Sequence, residues 1–534
     1  MPPEPPVLKR ILVTDNLAPR GLEVLQHAPG FAADVKNRLT PQELLACIGD
    51  YDALVVRSTT RVTAEVLTAG KRLKVVGRAG VGVDNIDLEA ATARGIVVMN
   101  APSGNTVTTA EHTLALLLAL AKNVPQATMS MKQGQWEKGH FMNVELFNKV
   151  LGIIGLGRIG SEVARRAKAL AMRVIAYDPF ISQEAAGSLG VELVDREEVF
   201  RRSDFLTVHV PLGPDTRNLI DGKAIAMMKR GVRIINCARG GIVDEQALYE
   251  GLRSGQVAGA AFDVFVNEPG TGSPLIGLEN FICTPHLGAA TEEAQENVAV
   301  AIAEQVIDFL ERGVVRNAVN APSMDPELLA KIRPYFTLAE KLGRLCSQLS
   351  EGRMQEVRIE YQGEVASVNT APLTAAVVKG ILDPILSGSV NVVNALPFAK
   401  QRGVRVVESK TSEEGDYASL ISVTIGTDKA PSLVAGALFQ KSQPRVVRID
   451  EFSLEAIPEG YLLVFSNMDV PGVIGRIGTL LGKNQVNIAG MQLGRTRPGG
   501  RAVSVVNVDN PIPPPVLEEI RRMPDIVFAK LVQV

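Results

Sequence analysis

The sequence predicts an α/β protein with two doubly wound parallel sheets, an α+β segment after them, and a small closing domain of ferredoxin-like order. Three observations predict it. Short β-branched runs alternate with helical stretches through the first 311 residues. Between Leu151 and His286, chemically equipped residues stand at or just past the ends of successive apolar runs. From Tyr461 onward the pattern reads β-α-β-β-α-β.

In the N-terminal part, residues 11–14, 53–57, 74–77 and 96–99 read as short strands, with helical stretches such as Pro41–Cys47 between them. This is a small parallel unit without a dinucleotide fingerprint. A long helix over 106–122 follows, and a second unit begins near Lys149. Another amphipathic helix spans 291–311. The two long helices are expected to bridge the units, so that the chain returns to the first near residues 318–322. The Rossmann-like cofactor domain (104–288) is then inserted into a substrate domain made of 1–103 and 289–322. Residues 323–455 form an intervening domain with strand-like pieces at 357–361, 404–408 and 419–426, and show no catalytic constellation. The closing domain, 456–534, has strands at 461–466, 486–493, 502–508 and 526–534 and helices at 472–482 and 514–523.

Bulk numbers narrow the function classes. At 534 residues, roughly three or four domains are expected. With 46% hydrophobic and 21% charged residues, the chain reads as an ordinary soluble globular protein. A net charge of -2 and 4% aromatics give no case for nucleic acid or an anionic membrane. The four cysteines are scattered, with no metal-ligand spacing, and read as reduced thiols. The opening Met-Pro-Pro-Glu-Pro-Pro lacks the pattern of a signal peptide. The longest apolar stretch, 114–121, falls far short of the ~20 residues that span a bilayer. A soluble, cytoplasmic protein is the expectation.

The cofactor reading starts at Gly155, Gly157 and Gly160, which lie between an apolar run and an amphipathic helix over 159–170. The first glycine permits the tight turn, the second lets backbone N–H groups approach a pyrophosphate, and the third lets helix and strand pack closely. Such a motif alone is weak in a chain with 48 glycines. Here the strand-before, helix-after context holds, and Asp178 ends the next apolar run 18 residues past Gly160. Its carboxylate can accept both ribose hydroxyls of NAD and would repel the 2′-phosphate of NADP.

Three further strand ends carry Arg239, Glu268 and His286. Oxidation of a 2-hydroxy acid needs a base for the hydroxyl proton, and His286 suits it because imidazole titrates near neutrality. Glu268 can orient that ring, and Arg239 offers a fork that matches a carboxylate. Each alone could be a turn residue. In series downstream of a dinucleotide fingerprint they point to chemistry.

Leu151-Gly-Ile-Ile-Gly-Leu-Gly-Arg-Ile-Gly160, Asn236-Cys-Ala-Arg-Gly-Gly-Ile-Val-Asp-Glu245, Phe262-Asp-Val-Phe265 with Glu268-Pro269, and Thr284-Pro-His-Leu-Gly-Ala289 closely resemble the D-2-hydroxyacid dehydrogenase family. The resemblance implies Arg239, Glu268 and His286 as catalytic. It implies cofactor contacts from Val81, Gly155, Gly157, Arg158, Ile159, Gly160, Asp178, Val210, Cys237, Ala238, Arg239, Asp263, His286, Gly288 and Ala289, with NAD as cofactor. Val56-Arg-Ser58, Val76-Gly-Arg-Ala-Gly-Val-Gly-Val-Asp-Asn85 and Asn100-Ala-Pro-Ser-Gly-Asn105 are similar to the substrate-domain signatures of members that oxidise 3-phosphoglycerate. That implies Arg57, Ser58, Arg78, Asn105 and Lys138 around the substrate, although either arginine alone could be a solvated loop charge. Two positions depart from the family pattern. Lys138 replaces the arginine that often follows Trp-Glu, and Val81 stands where some relatives have threonine.

Residues 324–454 resemble the extra domain of longer family members. Asn467-Met-Asp-Val-Pro-Gly-Val-Ile-Gly-Arg-Ile-Gly478, with Val486-Asn-Ile488 after it, resembles the ACT domain, a small amino-acid sensor. Free N–H groups at Gly472 suit a carboxylate, Asp469 an ammonium, and Asn487 would bridge both. Asn467 completes the implied set. Asp469 could equally cap the following helix. The resemblances together imply NAD-dependent conversion of 3-phosphoglycerate to 3-phosphohydroxypyruvate at the head of serine synthesis, with L-serine as effector and a homotetramer as assembly. A glyoxylate or hydroxypyruvate reductase, or a non-enzymatic dinucleotide-sensing protein on the same scaffold, is the alternative.

Overall fold

The computed structural model describes residues 8–324, 326–386, 390–413 and 415–534. The opening run read above for a leader lies outside the described residues. Lys9–Val13 (β1), Phe31–Val35 (β2), Ala53–Val56 (β3), Val75–Arg78 (β4) and Val97–Asn100 (β5) form a parallel sheet in the order β2-β1-β3-β4-β5. The sequence reading lacked β2. It sits at the sheet edge, half-buried and without alternation, so its pattern carries little signal. Pro41–Cys47 is a helix as expected, with Thr40 and Glu43 capping each other's backbone.

The second sheet comprises Val150–Ile154 (β6), Arg173–Tyr177 (β7), Glu192–Leu193 (β8), Phe205–Val208 (β9), Val232–Asn236 (β10), Val257–Phe262 (β11) and Phe281–Cys283 (β12). All its pairs are parallel and its order is β12-β11-β10-β9-β6-β7-β8. This is the doubly wound order in which ligands bind beyond the strand carboxyl ends, where the order reverses between β6 and β9. Strands β8 and β9 went unread because one has two residues and the other is a short, wholly buried apolar run.

Helix Thr106–Ala121 lies on the second sheet, with Leu117 and Leu120 in one core with Leu151, Ile153 and Val163. Helix Glu292–Arg312 lies instead on the first sheet, burying Val298, Ile302 and Val306. Only glycine fits at position 21, since a Cβ there would meet Ala299 Cβ at 2.6 Å. The chain then rejoins the first sheet: Val319 N–H donates to Val98 O at 2.8 Å, and Asn320 Oδ1 accepts from Val98 N–H at 2.8 Å.

Met354–Gly363 (β13), Arg405–Thr411 (β14), Ser419–Thr427 (β15), Ser432–Phe439 (β16), Gln443–Ile449 (β17) and Phe452–Ala456 (β18) form a mixed sheet, parallel only between β13 and β14. Helices Pro326–Leu349 and Ala371–Leu386 cover it and cross closely at two glycines. A Cβ on Gly343 would meet Val377 O, and one on Gly380 would meet Glu340 O, each at 2.1 Å. The last sheet, Tyr461–Met468 (β19), Ile488–Arg495 (β20), Arg501–Val508 (β21) and Ile526–Gln533 (β22), is antiparallel in the order β20-β21-β19-β22. Helices Val473–Lys483 and Pro514–Arg521 pack on it through Val473, Ile477 and Ile520. That is the ferredoxin-like arrangement expected. Among the described residues, no helix is long and apolar enough to cross a membrane.

Candidate active site

The three glycines after β6 behave as three different devices. Gly155 has φ +92°, and a Cβ on it would meet His209 O at 2.6 Å. Gly160 lies so close to Gly155 O that a Cβ would sit at 2.1 Å, which is the tight helix–strand packing. Gly157 faces open space and is the N-cap of helix Arg158–Ala169, whose first turn holds no acidic residue. That leaves an uncrowded row of N–H groups at the positive end of the helix, the donor set an anionic pyrophosphate needs. Asp178 closes the turn by accepting N–H from Leu156 and Phe180, each at 2.8 Å. A carboxylate has about four lone-pair positions, so it retains capacity for ribose hydroxyls. These residues fit a dinucleotide. Arg158 is exposed at the helix start, whereas Ile159 is partly buried against the sheet core. Val210 lines the same turn beside Gly155.

His286 and Glu268 meet as their strand ends predict, His286 Nδ1 to Glu268 Oε2 at 2.9 Å. The pair leaves Nε2 of the ring as the working nitrogen. Glu268 is itself placed by Phe265 N–H, which donates to its Oε1 at 3.3 Å. About half of the His286 side chain is exposed. Its backbone has φ +57°, a left-handed conformation that non-glycine residues rarely adopt and that recurs at functional sites.

Buried Asp263 holds that loop in place. Its carboxylate accepts N–H from Leu287 at 2.7 Å and Gly288 at 2.8 Å, and the Thr284 hydroxyl at 2.6 Å. His112 Nε2 lies 3.2 Å from Asp263 and 3.0 Å from Thr284 Oγ1. Burial raises the Asp263 carboxyl, but these hydrogen bonds, with His112 foremost, outweigh it and hold it below the ordinary aspartate range. Thr109 Oγ1 donates to Gly288 O at 2.8 Å, and Ala289 is exposed just beyond. Cys237 is buried, which pushes its thiol up to about 12, so it serves as a neutral wall residue beside Ala238.

Arg239 reaches across to the first unit. Its Nε donates to Asp84 Oδ2 at 3.2 Å, and a Cβ on Gly82 would meet its guanidinium at 2.0 Å. Arg78, at the carboxyl end of β4, lies close enough for the two cations to repel. Burial first, then Arg239, pulls the Arg78 guanidinium down to about 10, with Asp84 opposing. Arg78 Nε and Asn105 Oδ1 are buried without a partner among the described residues, an orphaned donor and an orphaned acceptor. Arg57 donates to Asn16 O at 2.9 Å, and Ser58 is exposed next to it. The Val81 carbonyl accepts from Asn100 Nδ2 at 2.6 Å. Lys138 stands apart, exposed and without a hydrogen bond to any described residue.

Sequence reasoning missed Asp84, His112 and Thr109. Asp84 lay within a quoted motif. His112 and Thr109 sit one helical turn apart on a helix read only as a bridge, and nothing in its apolar pattern marks them.

The four residues expected around an effector do not come together within one chain, which corrects the reading of Asn487 as facing Asp469. Asn487 precedes β20 and donates to Asp509 at 2.7 Å, at the end where Tyr461, Val508 and Ile488 are in register. Asp469 follows Met468, at the other end of the strand, roughly 24 Å away at ~3.4 Å per residue. There Asp469 accepts from Arg495 at 2.7 Å, and this partner first of all holds its carboxyl below the usual range. Asn467 is buried with Oδ1 unpartnered, and Gly472 caps the helix at φ +93°.

The fold and the site define a dehydrogenase of 2-hydroxy acids. The family model for the D-isomer specific 2-hydroxyacid dehydrogenase NAD binding domain matches residues 114–288. The D-3-phosphoglycerate dehydrogenase intervening domain matches 331–450, and the ACT domain 461–525. D-3-phosphoglycerate dehydrogenase of Methanocaldococcus jannaschii is 46% identical over 97% of this chain and 98% of that protein. Its Bacillus subtilis counterpart is 43% identical over 98% and 99%. Among solved structures, D-lactate dehydrogenase from Aquifex aeolicus, complexed with NAD and lactic acid, aligns with TM-score 0.52 at 27% identity, covering 59% of this chain and all of that one. The chain belongs to the D-3-phosphoglycerate dehydrogenase family.

Proposed function

We propose that this chain oxidises D-3-phosphoglycerate to 3-phosphohydroxypyruvate, the first step towards L-serine. The observation that carries the reaction type is the His286–Glu268 pair at 2.9 Å, on loops that follow adjacent strands of the dinucleotide sheet. NAD, when bound, supplies the hydride acceptor. Nε2 of His286 takes the C2 hydroxyl proton as the C2 hydrogen leaves as hydride, and the Glu268 carboxylate stabilises the imidazolium that forms. Arg239 holds the substrate carboxylate from the cofactor side of the cleft. Arg57 and Arg78 face it with two more guanidinium groups, and Asn105 with an amide. A phosphorylated substrate uses that extra charge, whereas an unphosphorylated one leaves it unpaired. With the division taken as 1–103 with 289–322, 104–288, 323–455 and 456–534, Arg57 and Arg78 stand across one cleft from Arg239 and Asn105.

The test is NADH formation across a panel of D-2-hydroxy acids with and without phosphate. The reading expects 3-phosphoglycerate to lead, and Arg57→Ala and Arg78→Ala to raise its KM by about tenfold or more while lactate and glycerate change less. A preference for glyoxylate or hydroxypyruvate would transfer the assignment to a reductase on the same scaffold.

Regulation extends the proposal. Asn467, Asp469 and Gly472 form a turn suited to a small amino acid, with L-serine, the end product, as the effector. Asn487 reaches that turn only from a second copy, so the effector site requires an oligomer, for which a homotetramer in the cytoplasm is the proposed form.

A further inference from the structure

A cavity of about 590 Å³ lies between the first unit and the intervening domain, away from the strand ends that carry the chemistry. One wall comes from the amino-terminal ends of β4 and β5, with Leu73, Lys74, Gly95 and Val97, and from the end of helix Glu292–Arg312. The other comes from helices Pro326–Leu349 and Ala371–Leu386 and residues 391–393. Asn391 ties the walls together by donating to Gly95 O at 2.8 Å.

The charge in this lining is one-sided. Phe309, Val315, Leu329, Phe336 and Ala375 make its body apolar, and five cations, Lys74, Arg94, Arg312, Arg333 and Lys379, border it. Among the described residues, no aspartate or glutamate lines it. Arg312 and Lys379 are neutralised from behind by Asp308 and Glu340. Lys74, Arg94 and Arg333 have no ion pair or side-chain hydrogen bond among the described residues. An apolar chamber of this size with unpaired cations at its mouth is shaped for a ligand with an apolar body and one anionic head.

We infer that this cavity binds an amphiphilic organic anion, of the class of a medium-chain carboxylate, at the junction of the two domains. A bare phosphate or sugar phosphate would satisfy the cations and leave the apolar walls wet. A neutral alcohol would do the reverse. Bound there, the ligand touches Lys74 at one end of β4, the strand that ends in Arg78.

The experiment is calorimetric titration of the full-length protein with decanoate at monomeric concentrations, beside decanol, decyltrimethylammonium and inorganic phosphate. The expected result is saturable binding of one decanoate per chain and no comparable binding of the other three. The double variant Arg94→Glu/Arg333→Glu changes two exposed side chains, so its fold is checked by an unchanged Tm and unchanged basal turnover. It should bind decanoate at least about tenfold more weakly. Ala375→Trp, which fills the chamber, should remove binding with the cations intact. The proposal is overturned if decanoate does not bind, if decanol binds as well, if phosphate competes it off at equal concentration, or if the charge-reversed variant binds undiminished.

Discussion

In the parallel sheet β6–β12, Gly155, Asp178, Arg239, Asp263 and His286 each follow a strand. In the closing antiparallel sheet, Asp469 follows β19 whereas Asn487 precedes β20. Parallel strands all finish at one edge, so residues placed after them converge whatever their separation in sequence. Strands β19 and β20 also run in the same direction, both antiparallel to β21. A residue after the first and one before the second therefore lie at opposite ends. The residues proposed for dehydrogenation come together inside one chain and those proposed for an effector do not, and the difference is which side of its strand each residue occupies.

The sharpest test of the self-contained site is its base. His286→Ala should lower kcat by about 10²–10⁴-fold while leaving NADH binding largely intact, as measured by steady-state kinetics beside fluorescence titration. Glu268→Gln should cost less and move the pH profile, since it keeps a hydrogen-bond partner for Nδ1 but not the charge. Near-normal turnover in His286→Ala would break the convergence argument at its centre.

A smaller effect is expected at Asp178. The carboxylate is fixed by Leu156 and Phe180 N–H groups, so its charge is held at the end of β7 where a ribose would lie. The unaltered protein should show higher kcat/KM with NAD than with NADP. Asp178→Ala should weaken NAD and narrow that gap by roughly tenfold, the scale of one charge-assisted hydrogen bond. Equal use of both cofactors by the unaltered protein would place Asp178 outside the ribose site.

The parts legible in the sequence are those with a local cause. Helix Pro41–Cys47 has its expected bounds because Thr40 and Glu43 cap it locally, and Gly155 and Gly160 each stand where a Cβ would meet backbone. What stayed hidden depends on partners distant in sequence. His112 gains its place only when helix Thr106–Ala121 lies against the β11 and β12 loops, 151 residues from Asp263. Arg239 meets Asp84 across 155 residues. Asn487 was misplaced because a motif fixes the order of residues but not the end of the sheet on which each one falls.

That misplacement gives the finest test of the comparison. Asp469→Ala and Asn487→Ala chains should each stay active and lose serine inhibition. If the two residues serve one site from different copies, co-assembly of the two variants regenerates an intact pair, Asp469 from one chain and Asn487 from the other. On random pairing about a quarter of the sites would be whole, so partial serine inhibition should return in the mixture and in neither variant alone. The readout is initial rate against serine concentration after unfolding and refolding the mixed chains, with each variant refolded alone as control. A mixture that stays insensitive would mean that Asn487 takes no part in the site, with Asp469 acting from within its own chain or serving only its pair with Arg495.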